Sequence, residues 1–310
     1  MPKENHSSAF DLNLFLLDFS AGGIAAGISE TIVAPLERVK ILLQVQHASS
    51  KLKPEKHYKG LIDAFIRIPK EQGIRSLWRG NLTHVIRCWP SFALNFAFKE
   101  VYKKILLGDT RNSASFWTQF ASNTLSGGFA GATTLAFLYP LDFVETRLAA
   151  DVGGHHQHRE FSGIINCMQT VVKTDGIRGL YRGFTASVQG IFVYRASYFG
   201  LYDTFKILFT DPDKIPFLMS WALAQGVTTF SSIIAYPFDT VRRRLMMQSG
   251  LDADKHMYKG VRDCWRQIYR IEGVSGYFKG GFTSVFRSVG GALILVLYDQ
   301  IKMLHQAAQS

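Results

Sequence analysis

A proline, an acid two residues later and a charged residue three beyond that recur as Pro35-Leu-Glu37-Arg-Val-Lys40, Pro140-Leu-Asp142-Phe-Val-Glu145 and Pro237-Phe-Asp239-Thr-Val-Arg242. The prolines are spaced by 105 and 97 residues. A second marker, Tyr58-Lys-Gly60, returns as Phe161-Ser-Gly163 and Tyr258-Lys-Gly260, spaced by 103 and 97. A third, EQGIRSLWRG ending at Gly80, returns as TDGIRGLYRG ending at Gly183 and IEGVSGYFKG ending at Gly280, again spaced by 103 and 97. Three separate markers sharing one period divide the chain into three units, 1–110, 111–211 and 212–310, of one domain.

Within this frame six segments read as long apolar helices of membrane-crossing length, roughly 12–46, 81–107, 116–150, 184–209, 215–248 and 282–304. Each unit is then two long helices joined by a shorter amphipathic helical segment, which gives an all-α membrane protein with six transmembrane helices and three short ones. Polar residues such as Glu30, Arg87, Asn95, Arg195 and Arg287 interrupt the long segments, and in lipid they face the bundle interior or a water-filled cavity. A mean hydropathy of only +0.05 agrees with spans that carry polar faces. Small residues four apart, Gly23/Gly27, Gly127/Gly131 and Ala222/Gly226, allow close backbone approach.

The apolar run from Ile215 to Tyr236 ends in Arg242-Arg243-Arg244. Adjacent helical residues point about 100° apart, so the triplet forms a collar of charge rather than one charged face. Such a collar is costly unless an anion passes it or pairs with it. The net charge of +11 also points to an anionic partner. Nucleic acid fits poorly, because the bases are scattered through apolar stretches. No nucleophile–base pair, phosphate loop or dinucleotide fingerprint supports an enzyme or a bound cofactor. Three cysteines, Cys88, Cys167 and Cys264, exclude a disulfide framework. The N-terminus has neither a secretory nor an Arg-rich transit design. His155, His156 and His158 follow two glycines and read as a solvated loop, and no metal is expected.

The threefold P-x-[DE]-x-x-[KR] pattern, each copy followed by an [DE]-G-x(4)-[WYF]-[KR]-G element, resembles the mitochondrial carrier family over essentially the whole chain. Arg242-Arg243-Arg244-Leu245-Met246-Met247 resembles the RRRMMM signature of its ADP/ATP carriers. WRGNLTHVIR, ALNFAFKE, YPLDFVETRLAADVG, VQGIFVYRASYFG and VLYDQIK resemble that subfamily too. The resemblance implies a monomeric, pseudo-threefold six-helix bundle in the mitochondrial inner membrane, exchanging cytosolic ADP for matrix ATP by alternating access. It implies a matrix gate of Glu37, Lys40, Asp142, Glu145, Asp239 and Arg242, paired between helices kinked at the three prolines. It implies a cytoplasmic gate of Glu100/Lys103, Asp203/Lys206 and Asp299/Lys302. Substrate contacts carried over are Arg87, Lys99, Arg242 and Arg287 for phosphate, and Gly190, Ile191 and Tyr194 for the adenine. Cardiolipin is implied at the helix starts by Gly60, Gly80, Gly163, Gly183, Gly260 and Gly280. Alternatives stay beside these roles: Arg87 and Arg287 paired with buried carboxylates, Tyr194 as a packing aromatic, Arg243 and Arg244 as structural, and the glycines as ordinary caps.

Two positions depart from that pattern. Glu145 stands where a base is expected, so in family geometry it faces Glu37, two like charges in place of a salt bridge. That implies a weakened matrix gate, with Arg147 pointing too far around the helix to help. Glu30 stands where those carriers have lysine; it faces the same side as Glu37 and repels a phosphate unless protonated or paired, with Arg87 or Arg287 as partner. The substitutions E30K and E145R, which return both positions to the pattern, are expected to raise exchange. Smaller departures are Leu245, Cys88-Trp89, and Ala64 where the other units have cysteine. A diverged carrier with altered substrate, weak exchange or ion leak is the alternative, and a non-transporting structural protein of the same membrane is another.

Overall fold

The structure is a computed structural model that describes residues 12–49, 52, 54–107, 115–153, 159–208, 217–251, 254 and 256–286. Every regular element among these residues is helical. Five long helices are described: α1 (Leu12–Val45), α3 (Asn81–Leu107), α4 (Phe116–Ala150), α6 (Phe184–Leu208) and α7 (Phe217–Met247). A sixth begins at 281–286. Three short helices, α2 (Leu61–Gln72), α5 (Ile164–Asp175) and α8 (Val261–Glu272), fall between the long helices of each unit. Each starts after Gly60, Gly163 or Gly260 and is followed by a short 3-10 turn, so the unit seen in sequence is long helix, surface helix, turn, long helix.

The repeats interlock at the third marker. Gly80, Gly183 and Gly280 have φ of 91°, 86° and 80°, a conformation that suits glycine. A side chain on Gly183 would stand 2.7 Å from the Arg242 carbonyl, and the equivalents would stand 3.0 Å from the Glu145 carbonyl at Gly80 and 2.9 Å from that of Lys40 at Gly280. The third marker of each unit is therefore wedged against the last gate position of the next, and that of the third unit against the first. Tyr139 and Tyr236, each just before a motif proline, donate to the carbonyls of Arg182 and Lys279 at the same joints. The two motifs repeat together because they form one contact.

The segments expected to be apolar spans are long enough, at 25 to 35 residues. Among the described residues, however, no helix is long and apolar enough to cross a membrane by its own hydropathy. Charge concentrated on inward faces is the reason: Glu37, Arg38 and Lys40 in α1, Asp142, Glu145 and Arg147 in α4, and Asp239 with the arginine triplet in α7. Arg38 and Arg244 are among the largest fully buried side chains, whereas Ile28, Ile32, Phe92, Phe96, Phe129, Phe137 and Phe230 are exposed. Polar inside and apolar outside is the inverse of a water-soluble bundle. Gly131 brings α4 against Ile191 of α6, where a Cβ would be 2.9 Å away, while Gly226 faces open space. The glycine pair in α4 thus serves close packing and the small residues of α7 do not.

Arg244 shows how the surface helices are held. It donates with both terminal nitrogens to Glu272 at the end of α8, and through Nε to the Gln44 carbonyl of α1. The two side chains are 1% and 5% exposed. Lys279 adds a contact of 2.8 Å. Burial pushes the Glu272 carboxyl up, but the hydrogen bonds from Arg244 and Lys279 outweigh it and hold the group at about 2. A depressed folded pKa contributes stability that is full above the usual 4.5 and is lost as pH falls toward 2. E272Q is therefore expected to lower the unfolding temperature at neutral pH, and its deficit against the parent should close across that acid window. An unchanged deficit at low pH would mean that packing, not charge, is what the substitution removed.

Candidate functional site

The repeated acids and bases converge where α1, α4 and α7 meet. Lys40 Nζ lies 3.3 Å from Asp239 Oδ2, joining α1 to α7, and Arg242 lies 2.9 Å from Asp142, joining α7 to α4. These are the cross-helix pairs implied for a closed matrix gate. Pairs within a helix persist beside them, Arg242 with Asp239 at 2.8 Å and Lys40 with Glu37 at 3.7 Å. Asp239 also accepts from Gln44 at 3.0 Å.

The expected clash of Glu37 with Glu145 is not what the structure contains. Arg243 reaches Glu37 at 2.8 Å and also donates to Thr146 of α4. Glu145 turns the other way, accepting from Arg87 Nε at 3.1 Å and lying 2.9 Å from His84 Nδ1, both on α3. Arg87, one expected partner of Glu30, is thus taken by Glu145, and the Glu30 carboxylate lies 3.1 Å from His84 Nε2. His84 stands between two acids, and the missing α1–α4 bridge becomes a relay from Glu30 through His84 to Glu145. Arg38 adds a direct tie, from α1 to the Ala149 carbonyl of α4, at 3.1 Å. The gate is rewired rather than left with a repulsion, because a histidine and two arginines lie within reach of carboxylates that would otherwise face each other. Arg147 does not reach across; it pairs with Glu160 at 2.5 Å.

The signature is consumed by this end of the molecule. Arg242, Arg243 and Arg244 each find a different acid: Asp142, Glu37 and Glu272. Leu245 packs with Tyr258 and Cys264, Met246 with Tyr139 and Cys167, and Met247 with Ile41, Val45 and Ala149. For Arg243 and Arg244 the structural role is the one observed.

Beside the ring lies a cavity of about 430 Å³, reached by all six long helices. Of the residues expected to touch substrate, Arg87, Gly190, Ile191, Tyr194 and Arg242 line it, and Lys99 does not. Glu30 is not in its wall either; it lines a separate small pocket with His84, Glu37 and Glu145. Acid at position 30 is therefore removed from the central space. Gly190 is needed for packing as well, since a Cβ there would lie 2.9 Å from Phe238 Cβ. Lys40 and Arg195 complete the set of bases against one acid, Asp239. Buried Arg195 Nε has no hydrogen-bond partner among the described residues. In the sequence Arg195 is an interruption of an apolar span, and its distance of eight residues from Asp203, the one acid in α6, was the available signal. His84 gave no signal, because its partners are 54 and 61 residues away.

Arg287, Asp299 and Lys302 lie outside the described residues, as do the side chains of Asp203 and Lys206 and the three loop histidines. Glu100 is exposed and Lys103 half-buried on α3. At the helix starts, Gly60, Gly163 and Gly260 have open space beside them. The amides of Lys59, Ser162 and Lys259 are already taken by Asp63, Asn166 and Asp263 side chains. Gly80, Gly183 and Gly280 are wedged between units as described.

The sequence profile of the mitochondrial carrier protein family matches three times, at residues 13–110, 116–213 and 213–308. ADP/ATP translocase 3 of Homo sapiens is 57% identical over 288 residues, covering 93% of this chain and 97% of its own length. ADP/ATP translocase 2 of Bos taurus is 58% identical, and that of Rattus norvegicus 57%, over the same shares.

The rewired gate has a measurable consequence. A double-mutant cycle on Arg87 and Glu145, read by thermal unfolding of the purified protein, should return a coupling of about 1–3 kcal/mol. E145Q should destabilise. If Glu37 and Glu145 instead repelled each other, E145Q would stabilise and the cycle would be flat.

Proposed function

The chain belongs to the mitochondrial carrier family, and on that premise we propose that it exchanges ADP and ATP across the mitochondrial inner membrane by alternating access. The observation that carries the reading is the central cavity. Its size is that of a small-molecule site, and among the described residues Lys40, Arg87, Arg195 and Arg242 face it against one carboxylate, that of Asp239. Guanidinium and ammonium groups are the strong donors for phosphate oxygens. On α6, Gly190, Ile191 and Tyr194 of the same lining offer a slot with an aromatic face for a planar base. No bond in the nucleotide changes, so the protein is a transporter and not an enzyme.

In the arrangement described, the charge ring closes one end of the cavity. Opening that end exchanges Lys40–Asp239 and Arg242–Asp142 for the pairs Glu100/Lys103, Asp203/Lys206 and Asp299/Lys302 at the other. Phosphates that compete for Lys40, Arg87 and Arg242 loosen the ring from within, which couples opening to occupancy. The three units act as one transport domain in a monomer that crosses the membrane six times, with its exposed Ile and Phe side chains toward lipid. Anionic lipid, cardiolipin among the candidates, docks at the helix starts after Gly60, Gly163 and Gly260, where space is open. Exchange slower than that of the relatives is favoured by one feature: Arg87 is committed to Glu145.

Reconstitution tests the reading. Liposomes loaded with ATP should take up ADP, and R195Q should raise the ADP concentration needed for half-maximal uptake about tenfold, the loss of one charge-assisted hydrogen bond. Well-inserted protein that takes up no ADP would sink the proposal. Uptake unaffected by R195Q would remove Arg195 from the site.

A further inference from the structure

Three departures from the family pattern, Glu30, Cys88 and Glu145, surround one histidine. Glu30 of α1 and His84 and Cys88 of α3 bring a carboxylate oxygen, an imidazole nitrogen and a thiol sulfur within 4.8 Å of one another. His84 and Cys88 are four residues apart and so share a helix face. We propose that Glu30, His84 and Cys88 form a transition-metal site for Zn2+ or a similar borderline-soft divalent cation, with Glu145 orienting the histidine from its far side.

The donor set selects the metal class. A thiolate, an imidazole and a carboxylate suit Zn2+ and disfavour Mg2+ and Ca2+, which take oxygen ligands. Metal–ligand bonds of about 2.0–2.3 Å put tetrahedral ligand atoms roughly 3.3–3.8 Å apart. Side-chain movements of about 1 Å or less bring the trio to that spacing. A fourth position is left for water.

The surroundings fit as well. Metal-bound histidines nearly always give their other nitrogen to a carboxylate. Here Nδ1 lies 2.9 Å from Glu145, leaving Nε2 toward Glu30. Nε2 is 3.1 Å from the Glu30 oxygen yet has no hydrogen bond of acceptable alignment. Glu30, His84 and Glu145 also line a small pocket of about 20 Å³, whose wall includes Arg38 and Arg79 but not Cys88. Two carboxylates, Glu30 and Glu145, lie at the histidine, and Arg87 is paired with the second of them. The other two thiols do not compete: Cys167 and Cys264 are buried, and burial pushes each up to about 12. A bound ion would staple α1 to α3 beside the gate.

Co2+ titration of the purified full chain, stripped of metal in detergent, tests the site without reference to transport. One equivalent should give a thiolate-to-cobalt charge-transfer band in the near ultraviolet, and Zn2+ should displace it and raise the unfolding temperature. C88S should abolish the band, H84N should weaken binding about tenfold or more, and E145Q should weaken it by about 10–100-fold with the band intact. If H84N fails to fold, C88S, a near-isosteric change, still decides the matter. The proposal is overturned by the absence of the band in the parent protein or by its survival in C88S. Stoichiometric Zn2+ binding undiminished in the H84N C88S double variant also overturns it, and assigns the metal to His155, His156 and His158 instead.

Discussion

Asp239 accepts from Arg242 of its own helix at 2.8 Å, lies 3.3 Å from Lys40 and from Arg243, and takes a hydrogen bond from Gln44. Around this one carboxylate the ends of α1, α4 and α7 are drawn together, since each cation it holds also reaches another acid. Arg242 goes on to Asp142 and Arg243 to Glu37. Buried ion pairs contribute little net stability, because desolvation offsets most of their attraction, yet removing one partner is costly. A closure made this way is specific in geometry and cheap to trade for another set of pairs. Apolar packing of the same area would hold the helices as firmly but would give phosphate nothing to compete for.

The same physics explains how the ring survives Glu145. A carboxylate near another carboxylate need not be protonated or expelled if cations can reach both. Arg243 supplies one to Glu37, and Arg87 with His84 supplies another to Glu145. The cost is that Arg87, in the wall of the central cavity, is already paired with an acid, and the result is a link between α1 and α4 that runs through α3. Glu30 completes that link, so the two acids that look like independent faults in the sequence are ends of one relay.

Much of this was legible beforehand. The three-unit period, the helices and five of the residues that line the cavity, Arg87, Gly190, Ile191, Tyr194 and Arg242, followed from the residues or from the resemblance they carry. The cross-helix pairs Lys40–Asp239 and Arg242–Asp142 implied by the motifs are present, and the burial of Arg243 and Arg244 among acids was one of two readings. Among the described residues the expected long apolar segments do not reach spanning hydropathy, because hydropathy sums over a whole helix while burial acts on one face. The expected repulsion at Glu145 failed because a pairwise view of two motifs left out α3.

The sequence by itself determined periodicity: helical spacing fixes which residues share a face, and identical markers at one interval fix three equivalent units. The tertiary structure alone decided partners. A side chain reaches only a few ångströms, and which acid lies within that reach depends on how neighbouring helices are seated. That seating is set by Gly80, Gly183 and Gly280 wedged against the carbonyls of Glu145, Arg242 and Lys40. Residues such as His84, Cys88 and Glu30, separated by 54 positions or more from α1 to α3, become a group only there.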